Sequence, residues 1–183
     1  MNLPDRIVAI HQALDSARVA HAFGGAIALA YWTENPRGTS DIDVNVFVPA
    51  SECEGAMRAL PEGVEWGRDD LAAIVKDGQR RIWWHETPVD LFFDYHRIHK
   101  EAAAHRRYVR FAEIEIPILG PIELAVFKAM FDRTRDWADI EEMARNETLE
   151  LDAVRNAISD MVGPDDSRLS RLAEAAMRGT RSS

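Results

Sequence analysis

The sequence predicts an α+β fold, in which a small mixed β-sheet flanked by helices is followed by a C-terminal helical bundle. Two segments, residues 41–48 and 89–95, alternate polar and apolar side chains with the period of two that is typical of β-strands. Gly120-Pro121 then marks a change, because residues 122–177 read almost throughout as helix. We therefore predict a core at residues 1–119 and a helical region, packed on that core, at residues 120–183.

Helical periodicity, short apolar runs and glycine or proline breaks predict the remaining elements in order. The first part is predicted to contain helices at 4–19, after Gly25 as far as Trp32, at 51–60, 71–75 and 98–107. Strands are predicted at 19–23, 41–48, 64–66, 80–85 and 89–95, the last two flanking Thr87-Pro88, with one or two more within 108–119. Breaks between the C-terminal helices are predicted near 133–135, 147–148 and 163–164.

The composition excludes some classes of protein. With 22 Lys+Arg against 31 Asp+Glu, the net charge of −9 argues against indiscriminate binding to nucleic acid, although residues 97–110 form a local basic stretch. No apolar run is long enough to cross a bilayer, and the N-terminus lacks the pattern of a signal peptide. The lone Cys53 cannot form an internal disulfide. We expect a cytoplasmic protein with no membrane partner.

Acidic side chains lie on one face of each of the two alternating strands. Asp41, Asp43 and Asn45 share a face because side chains two residues apart point the same way. Two carboxylates about 4–5 Å apart repel each other by roughly 4 kcal/mol near a protein surface, and a hard cation such as Mg²⁺ (or Mn²⁺) relieves this. Asp90 on the later strand is the best candidate for a third ligand, with Asp94 as the second choice. The pattern predicts a metal site for in-line displacement at phosphorus.

Gly24-Gly25 follows a short apolar run and precedes a predicted helix. Glycines at such a turn let backbone N–H groups approach a phosphate, and the helix dipole favours the negative charge. A tight turn alone would also use glycine. One helix and one loop separate Gly25 from Asp41, so we expect the turn and the acids to face the same cleft.

Taken together, these motifs resemble a known superfamily. Gly24-Gly25, then Thr39-Ser40-Asp41-Ile42-Asp43, then Val89-Asp90-Leu91 is similar to the signature of polymerase-β-like nucleotidyltransferases. The segment 121–128, ending in Lys128, followed by Arg135-Asp136-Trp137 and Asp139, resembles the helical motif of AbiEii-type nucleotidyltransferase toxins. The two likenesses span residues 22–143.

The resemblance implies a role for each matching residue. Asp41 and Asp43 would bind metal, and Asp90 would bind a second metal or take the proton of the acceptor hydroxyl. The implied nucleotide-binding residues are Gly24, Gly25, Thr39, Ser40 and Lys128. Asp136, or else Asp139, matches the acid of the last motif. The chain has Gly-Gly where relatives have Gly-Ser, which removes one hydroxyl contact to phosphate.

The implied reaction moves a nucleoside monophosphate from an NTP to an acceptor hydroxyl of tRNA or protein, as in the toxin of a toxin–antitoxin pair with a cognate antitoxin as partner. Two other functions stay open: an antibiotic nucleotidyltransferase acting on aminoglycosides or lincosamides, and a non-catalytic nucleotide-binding regulatory module. Some residues have simpler interpretations. Lys128 can equally be an exposed helix lysine, and the charges at 132–139 can be ion pairs along a helix. We expect His96 and His99 to be surface residues rather than zinc ligands, and Trp83-Trp84 to form the core and rim of a strand.

Overall fold

The computed structural model describes residues 1–36 and 38–181 of the chain. The helices are α1 Leu3–Ser16, α2 Gly25–Thr33, α3 Cys53–Ala59, α4 Arg68–Asp77, α5 Arg97–His105, α6 Pro121–Phe131, α7 Thr134–Arg145, α8 Leu151–Val162 and α9 Ser167–Arg181, with a 3-10 turn at Ala50–Glu52. The strands are β1 His21–Phe23, β2 Ile42–Pro49, β3 Val64–Glu65, β4 Gln79–Trp84, β5 Thr87–Asp94, β6 Arg107–Phe111 and β7 Ile114–Ile118. The predicted α+β class, with a small mixed sheet, flanking helices and C-terminal helices, is confirmed.

The chain forms two compact units. The first comprises Met1–Ile27 and Gly38–Leu119, and the second comprises Ala28–Arg37 and Gly120–Ser183. All seven strands named above lie in the first unit, which we call the sheet unit, and α6 to α9 lie in the second, which we call the helical unit. The prediction that residues 120–183 pack on a catalytic core stays a prediction.

The sheet has the order β3-β4-β5-β2-β1-β7-β6. The pairs β2–β5 and β1–β7 are parallel, whereas the other four pairs are antiparallel. In β5 every second residue is buried, from Thr87 to Phe93, and in β2 Ile42, Val44 and Val46 are buried. The alternation in the sequence therefore reports correctly which face of each strand enters the core.

The hairpin between β4 and β5 turns two residues earlier than the sequence predicts. The turn lies at His85-Glu86, with His85 at φ 52°, and Thr87-Pro88 already belongs to β5, where it pairs with Trp84 and Trp83. The prediction that the strands flank Thr87-Pro88 is therefore wrong. Proline is tolerated near the start of a strand, so Pro88 does not end the pairing as a breaker would.

The helical unit is built around apolar faces of its four C-terminal helices. Pro121 starts α6 at a position where a helix tolerates proline, and Asp132, in the left-handed region at φ 57°, ends it. Leu124, Ile140 and Ile158, from three different helices, are each at most 1% exposed. The close approach of α9 to α7 requires Gly179, because a Cβ there would lie 2.8 Å from the Glu141 carbonyl oxygen.

No helix in the described parts of the chain combines the length and the apolar character that a bilayer crossing requires.

Candidate active site

The first two predicted acids lie at the start of β2. Asp43 is a β2 residue, and Asp41 immediately precedes the strand. The Thr39 hydroxyl donates a hydrogen bond to the Asp41 carboxylate at 2.5 Å, and the Asp41 backbone N–H donates to the Thr39 hydroxyl at 3.4 Å. Thr39, predicted as a nucleotide-binding residue, is thus in contact with a predicted metal ligand. Ser40, the other residue of that pair, is exposed.

The Gly24-Gly25 turn lies directly against Asp43. The Gly24 N–H donates to the Asp43 carbonyl oxygen at 2.9 Å. Gly25 has φ +51°, and a Cβ on it would lie 2.5 Å from Cγ of Asp43, which is an overlap with the carboxylate. Both the backbone conformation and the space therefore require glycine at this position. The structure brings the predicted phosphate turn and one predicted metal ligand together, as the spacing of the motifs implied.

Asp90 is brought beside Asp43 by the parallel pairing of β2 with β5. Asp43 and Asp90 are register partners in this pair, so their backbones lie about 4.8 Å apart, the usual strand spacing. The Asp90 carboxylate is only 18% exposed. The three acids that the sequence singles out thus belong to one edge of the same pair of strands.

A residue that sequence reasoning missed, Arg81, lies among these acids. It is the register partner of Asp90 across the β4–β5 hairpin. Its guanidinium donates from Nε to Oδ1 of Asp90 at 2.7 Å and from Nη2 to Oδ2 at 2.6 Å, which is a two-pronged arrangement. Nη2 also lies 3.7 Å from Oδ2 of Asp41.

The acids stabilise the charged form of Arg81. The hydrogen bonds to Asp90 raise the pKa of Arg81 most; partial burial opposes this, and the negative charges of Asp90, Asp41 and Asp43 raise the pKa further. All three carboxylates thus act electrostatically on one guanidinium. The position of the β4–β5 turn determines which residue pairs with Asp90, and it was the sequence signal for Arg81. A turn at His85-Glu86 places Arg81 opposite Asp90, whereas a turn at Thr87-Pro88 would place His85 opposite Asp90.

The acids suit a hard divalent cation chemically, because carboxylate oxygens are the ligands that Mg²⁺ prefers. Gly25 has no side chain, so it leaves space for the Asp43 carboxylate. Within residues 1–36 and 38–181, however, no three His, Cys, Asp or Glu side chains are grouped closely enough to hold a metal ion. Asp41 and Asp43 could hold one, and Asp90 is engaged by Arg81. The metal site of Asp41, Asp43 and Asp90 stays a prediction.

In the helical unit, Lys128 is buried and paired. Its ammonium donates to Oδ2 of Asp139 at 2.6 Å, and the side chains are 6% and 9% exposed. The alternative of an exposed helix lysine is therefore wrong. Asp136 has a 2% exposed side chain and accepts from the Arg133 guanidinium at 2.6 Å. The ion-pair interpretation of this segment describes these contacts, and the roles of Lys128 in nucleotide binding and of Asp136 in catalysis stay predictions.

Two smaller expectations have mixed outcomes. Trp84 is 4% exposed and Trp83 is 46% exposed, which confirms one core and one rim residue. The expectation that both histidines lie at the surface is wrong for His99, which is 2% exposed and packs its ring 4.8 Å from that of Tyr95. His96 is exposed, as expected, and caps α5 by accepting from the N–H of Ile98.

Comparison with known proteins defines the fold. No family model matches the chain, and no curated protein matches it either. Among solved structures, the chain is similar to the antibiotic-resistance factor ANT(2'')-Ia, with 12% identity, a TM-score of 0.51 and coverage of 98% of this chain and 83% of that one. It is also similar to a candidate nucleotidyltransferase of H. pylori, with 16% identity, a TM-score of 0.52 and coverage of 97% and 91%.

These likenesses, with the acids and the glycine turn on the sheet, define a nucleotidyltransferase-like α+β fold. The narrower resemblance to AbiEii-type toxins rests on the sequence motifs alone and stays a prediction.

Proposed function

We propose that the chain is a nucleotidyltransferase that moves a nucleoside monophosphate from an NTP onto an acceptor hydroxyl. The observation that carries the proposal is the contact between Gly25 and the Asp43 carboxylate, with Asp90 in register beside Asp43. A phosphate-accepting turn and acids able to hold a divalent cation are thus in contact, in a chain with a nucleotidyltransferase-like fold.

The proposed reaction forms a bond between the acceptor oxygen and the α-phosphorus and breaks the bond from that phosphorus to the bridging oxygen of pyrophosphate. A divalent cation supplies charge neutralisation at the phosphates when it is bound. Asp41 and Asp43 would hold the cation, and the Gly24-Gly25 backbone would accommodate the phosphates. Asp90, which matches the third acid of the resemblance, would bind a second cation or accept the proton of the acceptor hydroxyl. Positioning and charge compensation provide most of the rate enhancement.

The acceptor is proposed to be a hydroxyl of tRNA or protein, as the resemblance of residues 121–139 to AbiEii-type toxins implies. On that reading the chain is the toxin of a toxin–antitoxin pair. The basic residues of the 97–110 stretch, of which Arg97, Arg107 and Arg110 are exposed, are the first place to look for RNA contacts.

Incubation of the purified protein with Mg²⁺, NTPs labelled at the α-phosphate, and either total tRNA or a protein extract tests the proposal. We expect label on one acceptor class, and we expect Asp43→Asn to abolish it. Asp152→Asn is the matched control, because that side chain is 95% exposed and its loss also removes one carboxylate. Label on none of the acceptors with folded wild-type protein, alongside preserved NTP binding, would instead favour the non-catalytic nucleotide-binding module.

A second candidate function is antibiotic modification. It is favoured by the fold likeness to ANT(2'')-Ia, which extends over 98% of this chain, and by a net charge of −9, which attracts cationic drugs. Expression in a susceptible host distinguishes this function: tolerance to an aminoglycoside or lincosamide should rise with the wild-type chain and not with Asp43→Asn. Unchanged tolerance to both classes removes this candidate.

A further inference from the structure

Arg81 is a positively charged residue in direct contact with the predicted site acids Asp90 and Asp41. Its guanidinium binds both oxygens of Asp90, at 2.7 and 2.6 Å, and approaches Asp41 at 3.7 Å. Asp43 lies in register beside Asp90, and the guanidinium interacts electrostatically with all three carboxylates.

The neighbouring arginine shows that this contact is specific to Arg81. Arg80 belongs to the same strand but points to the other face, where its Nε donates to Asp70 at 2.7 Å. The two arginines are similarly exposed, at 51% for the Arg81 side chain and 43% for Arg80, and each has a carboxylate partner. Of these two arginines, it is Arg81 that engages the acids beside the glycine turn.

A guanidinium that binds both oxygens of Asp90 competes with any cation for the same lone pairs. The Arg81 side chain is half exposed, so its guanidinium can exchange the Asp90 carboxylate for water. A divalent ion carries twice the charge and holds carboxylate oxygens directly. The exchange is therefore energetically accessible.

We propose that Arg81 is a built-in counter-ion that competes with the divalent cation for Asp90, so that binding of the cation and release of Asp90 by Arg81 are coupled. Arg81 is a positioning residue in this scheme: it holds the acids in place before the cation binds and sets the cation concentration at which the site fills. The inference rests on the proposed function only in taking these acids as the cation site.

Titration of the protein with Mn²⁺, with free Mn²⁺ followed by electron paramagnetic resonance and no NTP present, tests the coupling. Arg81→Gln should bind Mn²⁺ about two- to five-fold more tightly than wild type, the range expected when an exposed pair no longer competes. Arg81→Lys should fall between the two, because it keeps the charge without the two-pronged geometry. Arg80→Gln is the matched control and should leave the affinity unchanged.

A second background separates competition at Asp90 from a general charge effect. In Asp90→Asn protein, Arg81→Gln should no longer change Mn²⁺ affinity, because the shared ligand is gone. Equal or weaker Mn²⁺ binding by Arg81→Gln, or equal tightening in the Asp90→Asn background, would overturn the inference. Circular dichroism confirms that each variant is folded. Because no nucleotide is transferred in this titration, its result is independent of whether the transfer reaction is detected.

Discussion

Replacement of Gly25 by alanine tests the contact on which the site depends. At φ +51° an alanine is in the left-handed region, which costs about 1 kcal/mol. The new Cβ would also lie 2.5 Å from Cγ of Asp43, so the carboxylate has to rotate away or the turn has to shift. We take this second cost as about 1–2 kcal/mol, typical of a strained contact, for a total of about 2–3 kcal/mol.

Urea unfolding measures this loss, and a double-mutant cycle assigns it. In an Asp43→Ala background the overlap with the carboxylate is absent, so Gly25→Ala should cost only about 1 kcal/mol there. Gly55→Ala is the control, because Gly55 lies inside α3 with nothing within 4 Å of an added Cβ. That change should stabilise the protein by about 0.5–1 kcal/mol.

Transfer activity should fall in Gly25→Ala to the level of Asp43→Asn, since both disturb the same carboxylate. A Gly25→Ala protein as stable and as active as wild type would refute the reasoning, because the backbone conformation and the contact would then both be unimportant.

Two further predictions concern buried ionisable side chains. Lys128→Met should destabilise the helical unit by about 3–5 kcal/mol, because the buried Asp139 carboxylate would lose the ammonium that donates to it. Adding Asp139→Leu should restore most of the loss in urea unfolding, and full stability of the single variant would contradict a buried pair. The pKa of His21 is lowered from its ordinary value of about 6.5 to about 4, mainly by burial; a hydrogen bond with the Val19 carbonyl opposes this shift, and the neighbouring His11 adds to it. Because the folded pKa is depressed, neutral His21 contributes to the free energy of unfolding above pH 6.5, and up to about 3 kcal/mol of this contribution is lost as the pH falls towards 4. His21→Gln should therefore flatten the pH dependence of the free energy of unfolding in this window. An unchanged pH dependence in His21→Gln would contradict this prediction.

Much of the fold could be predicted because local patterns determine it. Alternation in β2 and β5 identified the buried faces, since a strand with one face in the core must place Ile42, Val44 and Leu91 on that face. The glycine turn and the acids could be connected from their spacing alone. These features depend on residues close together in sequence, where periodicity and turn chemistry apply directly.

The parts that were missed depend on partners that are distant in sequence or on one turn. Arg81 meets Asp90 only when the hairpin turns at His85-Glu86, and a proline two residues later suggested a different turn. The partner of Lys128, Asp139, is eleven residues away and on another helix. Helix periodicity does not say which side chains of two helices meet, so this buried pair required the structure.

The most direct test of the account uses one NTP labelled in turn at the α- and the γ-phosphate. The account predicts that α-label is transferred to the acceptor while γ-label leaves as pyrophosphate, and that Asp43→Asn abolishes both whereas Asp152→Asn changes neither. Transfer of γ-label to the acceptor, or full activity of Asp43→Asn, would contradict nucleotidyl transfer at these acids.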